Sequence, residues 1–324
     1  MTSFTLEKSL YKLKLSPVST ITQLTRSAKF AKMGCHPILL CLLCFLFFLH
    51  SSLHLASPLC PSDQRDALLR FKNSFVVDHM ASYSCDRFSP AVSYPKTNSW
   101  NKGKDCCSWD GVTCDGVTGN VVGLDLACCW LRGALHSNSS LFLLRHLMNL
   151  NLCGNNFSGS HISPNLSAFA KMTHMNLSRS QFSGTVPSEI SHLSKLVSLD
   201  LSSPDYEDSN LRSSLKLENP IFTMLAQNLT VLRKLVLDKI NMSMVSPKSF
   251  VNLSSSLTHL SVSSCSLRGI FPVSFFQFPN LTTLVISYNE DMSGILPKSN
   301  WTGPLAYLSL TGKSFLDEIP DLIW

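Results

Sequence analysis

LRHLMNLNL (144–152) opens a frame, L-x-x-L-x-L, that returns as MTHMNL (172–177), LVSLDL (196–201), LRKLVL (232–237), LTHLSV (257–262), LTTLVI (281–286) and LAYLSL (305–310), after a partial copy, VVGLDL (121–126). The last apolar position of each falls at 126, 152, 177, 201, 237, 262, 286 and 310. All but one of the steps are 24 to 26 residues, and the exception, from 201 to 237, is 36. A strand-length apolar frame held in one phase through eight units cannot bury its leucines within a single unit, so the units must stack and share one core. The expected architecture is an α/β, right-handed solenoid with one short strand and one return segment per turn. The long step, with PDYEDSNLRSSLKLENP in its first half, predicts one repeat carrying a polar insertion near residues 202–225.

Several repeats continue into FSGTVP (182–187), LRGIFP (267–272), MSGILP (292–297) and a degenerate DEIP (317–320). Glycine permits a turn that a side chain would obstruct, the apolar residue points inward, and proline ends the ladder because it has no N–H. With this second signature the repeats resemble the plant extracellular class of leucine-rich repeats. In that class an Asn three residues past the frame ties successive turns together; here it is present as Asn155 and Asn289, and is replaced by Cys129, Ser180, Pro204, Ile240, Cys265 and Lys313. Local irregularity is therefore expected near Pro204 and Ile240.

Ahead of the repeats, CPSDQRDALLRFKNSF (60–75) places Ala67, Leu68, Phe71 and Phe75 at helical spacing, with Asp63 in position to cap the helix. SWNKGKDCCSWDGVTCDGVTGNVVGLDL (99–126) follows. An open solenoid end exposes leucines and needs a lid. Residues 58–116 resemble the N-terminal cap of plant leucine-rich-repeat receptors, and that resemblance implies pairing of Cys60 with Cys106 and of Cys107 with Cys114, with Trp100 and Trp109 packing the lid. A zinc site is the competing reading of the crowded cysteines, but Cys106 and Cys107 are adjacent and no C-x-x-C occurs outside the leader. Cys85, Cys128, Cys129, Cys153 and Cys265 read as small buried or strand-edge thiols, with no partners assigned.

Residues 38–49, ILLCLLCFLFFL, are wholly apolar, too short to span a bilayer comfortably, and precede the small-residue stretch Leu55-Ala56-Ser57. This reads as the core of a signal peptide over 33–57, with an uncleaved signal anchor as the alternative. Residues 1–32 form a basic extension that Met33 would bypass as the true start. Nine N-x-S/T sequons, at Asn138, Asn156, Asn165, Asn176, Asn228, Asn241, Asn252, Asn280 and Asn300, point to the secretory route. Nine cysteines after the leader leave at least one without a partner in this chain.

Charge excludes a nucleic-acid partner. Six of the 27 Lys and Arg lie in residues 1–32 against Glu7 alone, and from Ser57 onward 21 basic residues face 20 acidic ones, with no stripe that could track a phosphate backbone. TGKS (311–314) matches only the end of a phosphate loop, since the earlier glycine would fall at Tyr307. His174 and His259 occupy equivalent strand positions in different repeats and form no catalytic pair. No enzyme, cofactor or metal is expected.

The leader, cap, repeats and sequons together resemble plant receptor-like proteins of the disease-resistance type, over about residues 33–324. The resemblance implies ligand recognition at the cell surface, in immunity or development, with signalling through partner receptor kinases. It also implies further repeats, a transmembrane helix and a short tail without a kinase. The chain stops inside a repeat at Trp324, so an N-terminal fragment spanning residues 117–324 of the repeat array, about eight units, is expected. The alternative is a soluble inhibitor of a microbial cell-wall-degrading enzyme, similar to polygalacturonase-inhibiting proteins. Variable strand positions would form the binding face for a protein or peptide ligand, and the candidates are Arg233, Lys234, Asp238, Lys239, His259, Tyr288 and Tyr307. A glycan on Asn176, itself a strand position, would cover the sheet around the third repeat.

Overall fold

A computed structural model describes residues 59–88, 92–203, 215–297 and 303–311. The leader, the basic extension, Pro204, Asn300, Lys313 and DEIP lie outside the described residues, as does most of TGKS. Two compact units divide the chain, Met1–Ser57 and Pro58–Trp324, and the second carries the repeats.

The apolar frame becomes one sheet of nine strands. Eight are parallel and one per repeat: Val121–Asp125, Asn149–Asn151, His174–Asn176, Ser198–Asp200, Lys234–Val236, His259–Ser261, Thr283–Val285 and Tyr307–Ser309. Pairing is in strict register, Leu150 beside Met175, Met175 beside Leu199, Leu235 beside Leu260. Side chains alternate across a strand, so the frame residues turn inward together and Leu150, Met175, Leu199, Leu235, Leu260 and Leu284 are all buried. The connection from one parallel strand to the next is right-handed, the hand that a twisted strand and its return segment impose. The return segments are short 3-10 turns, at Ser140–Leu143, Pro164–Ala168, Ser188–His192, Pro247–Asn252 and Val273–Gln277.

The Gly-containing signature forms a second row of strands: Gly184–Thr185 pairs with Leu215–Lys216, and Gly269–Ile270 with Met292–Ser293. Gly184 adopts φ +81°, and a Cβ there would strike the His161 ring.

The long repeat differs from expectation in where its extra residues go. Fourteen positions separate Leu201 from Leu215 where seven separate Leu177 from Gly184, yet twenty-two separate Leu215 from Leu237 where seventeen separate Gly184 from Leu201. Part of the excess is therefore helix. The α-helix Asn219–Asn228, with Pro220 in its first turn, replaces the short 3-10 turn and buries Phe222, Leu225 and Ala226. Residues 215–225 thus hold the second-row strand Leu215–Lys216 and the start of the helix, which takes up five of the extra positions.

The Asn ladder is patched by single donors. The Asn155 amide donates to Leu126 and Leu152 carbonyls (2.8 and 2.9 Å) and its Oδ1 accepts from the amides of Cys129 and Leu131; Asn289 does the same with Val262, Ile286, Cys265 and Leu267. Ser180 Oγ donates to the Leu152 carbonyl at 2.7 Å, and the buried Cys265 thiol reaches the Leu237 carbonyl at 3.1 Å. Ile240 fills the same slot with hydrocarbon. The expected irregularity does not occur there, because Lys234–Val236 stays in register with both neighbours and Ile240 is fully buried.

The cap closes the first turn. Helix α1 (Ser62–Lys72) buries Gln64, Ala67, Leu68 and Phe71 against the repeats. Its N-cap is Pro61, and Asp63 stands inside the first turn, where it complements the helix dipole instead of capping. Trp100 and Trp109, both buried, stack with centroids 5.4 Å apart. Strand Val112–Cys114 pairs antiparallel with Val121–Asp125 and ends the sheet.

Candidate functional site

The solvent-facing side of the sheet offers one row of side chains per strand position. Registered pairing aligns Asn149, His174, Ser198, Lys234, His259, Thr283 and Tyr307 in a single row. Of the candidate residues, Lys234, His259 and Tyr307 share this row. Arg233 lies before the strand, exposed, while its carbonyl accepts from the amides of Thr258 and His259. Asp238, Lys239 and Tyr288 lie past the strand ends, so the seven residues run from before to beyond the strands on the last four repeats of the sheet.

Asp238 is used structurally. Its Oδ1 accepts from Ser261 Oγ and from the Ser263 amide, both at 2.7 Å, which ties one repeat to the next. Lys239 and Tyr288 adopt left-handed backbone, φ 63° and 57°, as do Cys128, Arg179 and Ser264 at the same position of other repeats. That shared turn projects Arg179 onto the same rim as Lys239. Burial, with the Arg179 charge adding to it, holds the Lys239 ammonium below its ordinary range. The His259 imidazole is likewise lowered, first by burial and then by Lys234, against the opposing pull of Asp238 and Asp200. Arg179 and His174 thus belong to the face and were missed, although they stand at the same phase as Lys239 and Lys234; Asp200 belongs to it too, at the phase of Val236, which none of the chosen residues shares.

The face changes character along its length. In the first four repeats Asp125, Asn151, Asn176 and Asp200 each accept, through Oδ1, from the amide two residues ahead, at 3.1, 3.2, 3.0 and 3.1 Å. In later repeats this position holds Val236, Ser261, Val285 and Ser309. The Lys234, His259 and Tyr307 row consequently has a less polar floor beside it.

Three disulfides fasten the cap. Cys60 joins Cys106, Cys107 joins Cys114, and Cys85 joins Cys128, with Cα–Cα distances of 5.6, 5.4 and 6.0 Å. The third corrects the reading of Cys85 and Cys128 as isolated thiols. Helix α2 (Tyr83–Phe88) lays Cys85 on the first repeat, where Cys128 turns toward it with φ 54°. Cys129, Cys153 and Cys265 are free, and burial raises all three thiols. Around α2, the Asp86 carboxylate accepts from Ser93 Oγ at 2.7 Å and faces His79 Nε2 at 3.1 Å. The same hydroxyl accepts from Trp130 Nε1 at 2.9 Å, so this cluster ties the α2 segment to the first repeat.

Eight of the nine sequons are in the described residues. Asn138, Asn165, Asn228, Asn241, Asn252 and Asn280 are exposed; Asn156 and Asn176 are half-buried. Asn176 lies within the sheet face, and its Oδ1 also accepts from Ser178 Oγ at 2.7 Å. Among the described residues no helix is long and apolar enough to cross a membrane.

Residues 61–115 match the leucine rich repeat N-terminal domain family, and residues 171–193 and 230–291 match leucine rich repeat families. Receptor-like protein 9DC1 of Solanum pimpinellifolium is 44% identical over 294 residues, 89% of this chain and 33% of that protein. Receptor-like protein 6 of Arabidopsis thaliana is 42% identical over 268 residues, 82% of this chain and 26% of that protein. The chain belongs to the plant leucine-rich-repeat receptor-like proteins. Receptor-like protein Cf-9 of Solanum pimpinellifolium, 42% identical across 81% of this chain and 30% of its own length, is a further relative. This receptor-like chain spans about a quarter to a third of the length of those relatives. Its fold is also that of a plant ice-binding protein of known structure, with a TM-score of 0.54 at 22% identity over 78% of this chain and 79% of that one.

Proposed function

We propose that this receptor-like chain is the cap and first repeats of an exported recognition protein, which binds a protein or peptide ligand and signals through partner receptor kinases at the cell surface. It performs no catalysis of its own. The observation that carries this reading is the identity of 42 to 44% to receptor-like proteins across more than four fifths of the chain. The sheet face is compatible with it, because Arg233, Lys234 and Lys239, with Tyr288 and Tyr307 toward its far end, give it Arg and Tyr side chains of the kind enriched at protein interfaces.

The test uses the secreted chain, immobilised, and its Arg233→Glu, Lys234→Glu, Lys239→Glu variant. Extracellular fluid from challenged plant tissue is passed over both, and bound peptides are identified by mass spectrometry. A peptide retained by the parent at least tenfold more than by the variant, with circular dichroism unchanged, is the expected result. Equal retention would remove this face from recognition. Inhibition of a fungal polygalacturonase by the parent would favour the enzyme-inhibitor reading instead.

A further inference from the structure

Where α1 meets the first repeat, a cavity of about 400 Å³ opens between Arg70 and Ser74 on one side and Ala134, His136, Asn138 and Leu143 on the other. The two walls are held close. Ser140 Oγ donates to the Ala67 carbonyl of α1 at 2.8 Å, and Gly133, at φ +144°, brings its Cα so near that a Cβ would lie 3.3 Å from the Phe75 ring. The volume suits a small ligand rather than a macromolecule. Its chemistry is mixed. Leu143, 52% exposed, and Ala134 give an apolar surface, while Arg70 and His136 have no ion-pair partner among the described residues.

Asn138, on the wall, is the acceptor of an N-S-S sequon and is exposed. Any sugar attached to its Nδ2 begins at the mouth of this cavity, tethered, so its occupancy does not depend on ligand concentration. We propose that the cavity is the seat of the first sugars of an N-glycan carried by Asn138. The C–H face of the pyranose ring covers Leu143 and Ala134, and the hydroxyl and acetamido groups meet Arg70 and His136. A glycan seated in this way bridges cap and repeat and stabilises the seam between them. The inference rests on the reading of the chain as exported.

The experiment compares melting temperatures of the chain secreted from eukaryotic cells, with site occupancy read by peptide mass spectrometry. Asn138→Gln is expected to lower the melting temperature by about 2–4 °C, and Asn252→Gln, at an exposed sequon on another repeat, to leave it unchanged. Leu143→Ser should lower it in the glycosylated chain and have no effect in the Asn138→Gln background. Endoglycosidase trimming of the folded parent to one sugar per site should preserve the parent value, which separates loss of the glycan from loss of folding. Additive effects of Asn138→Gln and Leu143→Ser, or an unoccupied Asn138 beside occupied sequons elsewhere, would overturn this inference alone. A secreted chain with no sequon occupied would overturn the export reading together with it.

Discussion

Phe250→Ala is expected to lower the free energy of unfolding by about 3–5 kcal/mol, the range for emptying a fully buried aromatic site. Phe250 has no exposed surface, and its ring touches Phe222 at 4.6 Å, Phe271 at 5.7 Å and Phe275 at 6.3 Å between centroids. Phe222, Phe250 and Phe275 come from successive return segments and Phe271 from just past the second-row strand Gly269–Ile270, so one truncation loosens the contact between three repeats. In a solenoid each repeat is held chiefly by its neighbours, and the loss should appear as early unfolding of the repeats beyond residue 250. Urea titration followed by circular dichroism checks the size, with Met244→Ala, at a site 74% exposed, as a control expected to change stability by less than about 0.5 kcal/mol. A loss below 1 kcal/mol at Phe250 would mean that the aromatic stack does not hold these repeats together.

The second large effect lies in the cap. Removing the Cys85–Cys128 bridge, by Cys85→Ser with Cys128→Ser, is expected to cost about 4 kcal/mol, since it closes a loop of 43 residues in the unfolded chain. Cys107–Cys114, only seven residues apart, should contribute less, about 2–3 kcal/mol on the same chain-entropy argument. Gly154 belongs to the same site. It has φ +69°, and a Cβ added there would collide with Cys85 Sγ and approach Cys128 Sγ to 3.1 Å. Secretion yield and thermal midpoint measure the loss, and a double serine variant equal to the parent in both would show that the bridge is dispensable.

The repeat was legible because its physics is local and periodic. Leu144, Leu147, Leu150 and Leu152 announce a strand and its approach within nine residues, and Met175 or Val262 can replace leucine without hiding the phase. The cap helix was equally plain from Ala67, Leu68 and Phe71, though not its N-cap, because Pro61 starts the helix without a side-chain hydrogen bond. What stayed hidden depends on contacts between distant residues. Cys85 and Cys128 have no spacing rule to join them, and their pairing follows from how α2 rests on the first repeat. The helix at Asn219–Asn228 was masked by the polar run before it. Within the candidate face, Asp238 looked available for a ligand, yet its carboxylate is engaged by Ser261 and Ser263 of the next repeat. Arg179 was passed over because its relation to Lys239 arises from a shared left-handed turn two repeats apart.

Peptide mass mapping of the secreted chain, after thiol blocking and without reduction, checks that it is an exported solenoid closed by a three-bridge cap. Linked peptides are expected for Cys60 with Cys106, Cys85 with Cys128 and Cys107 with Cys114, with blocked thiols at Cys129, Cys153 and Cys265. Blocked thiols at Cys107 and Cys114, or any linkage of Cys153 or Cys265 to a cap cysteine, would contradict that closure.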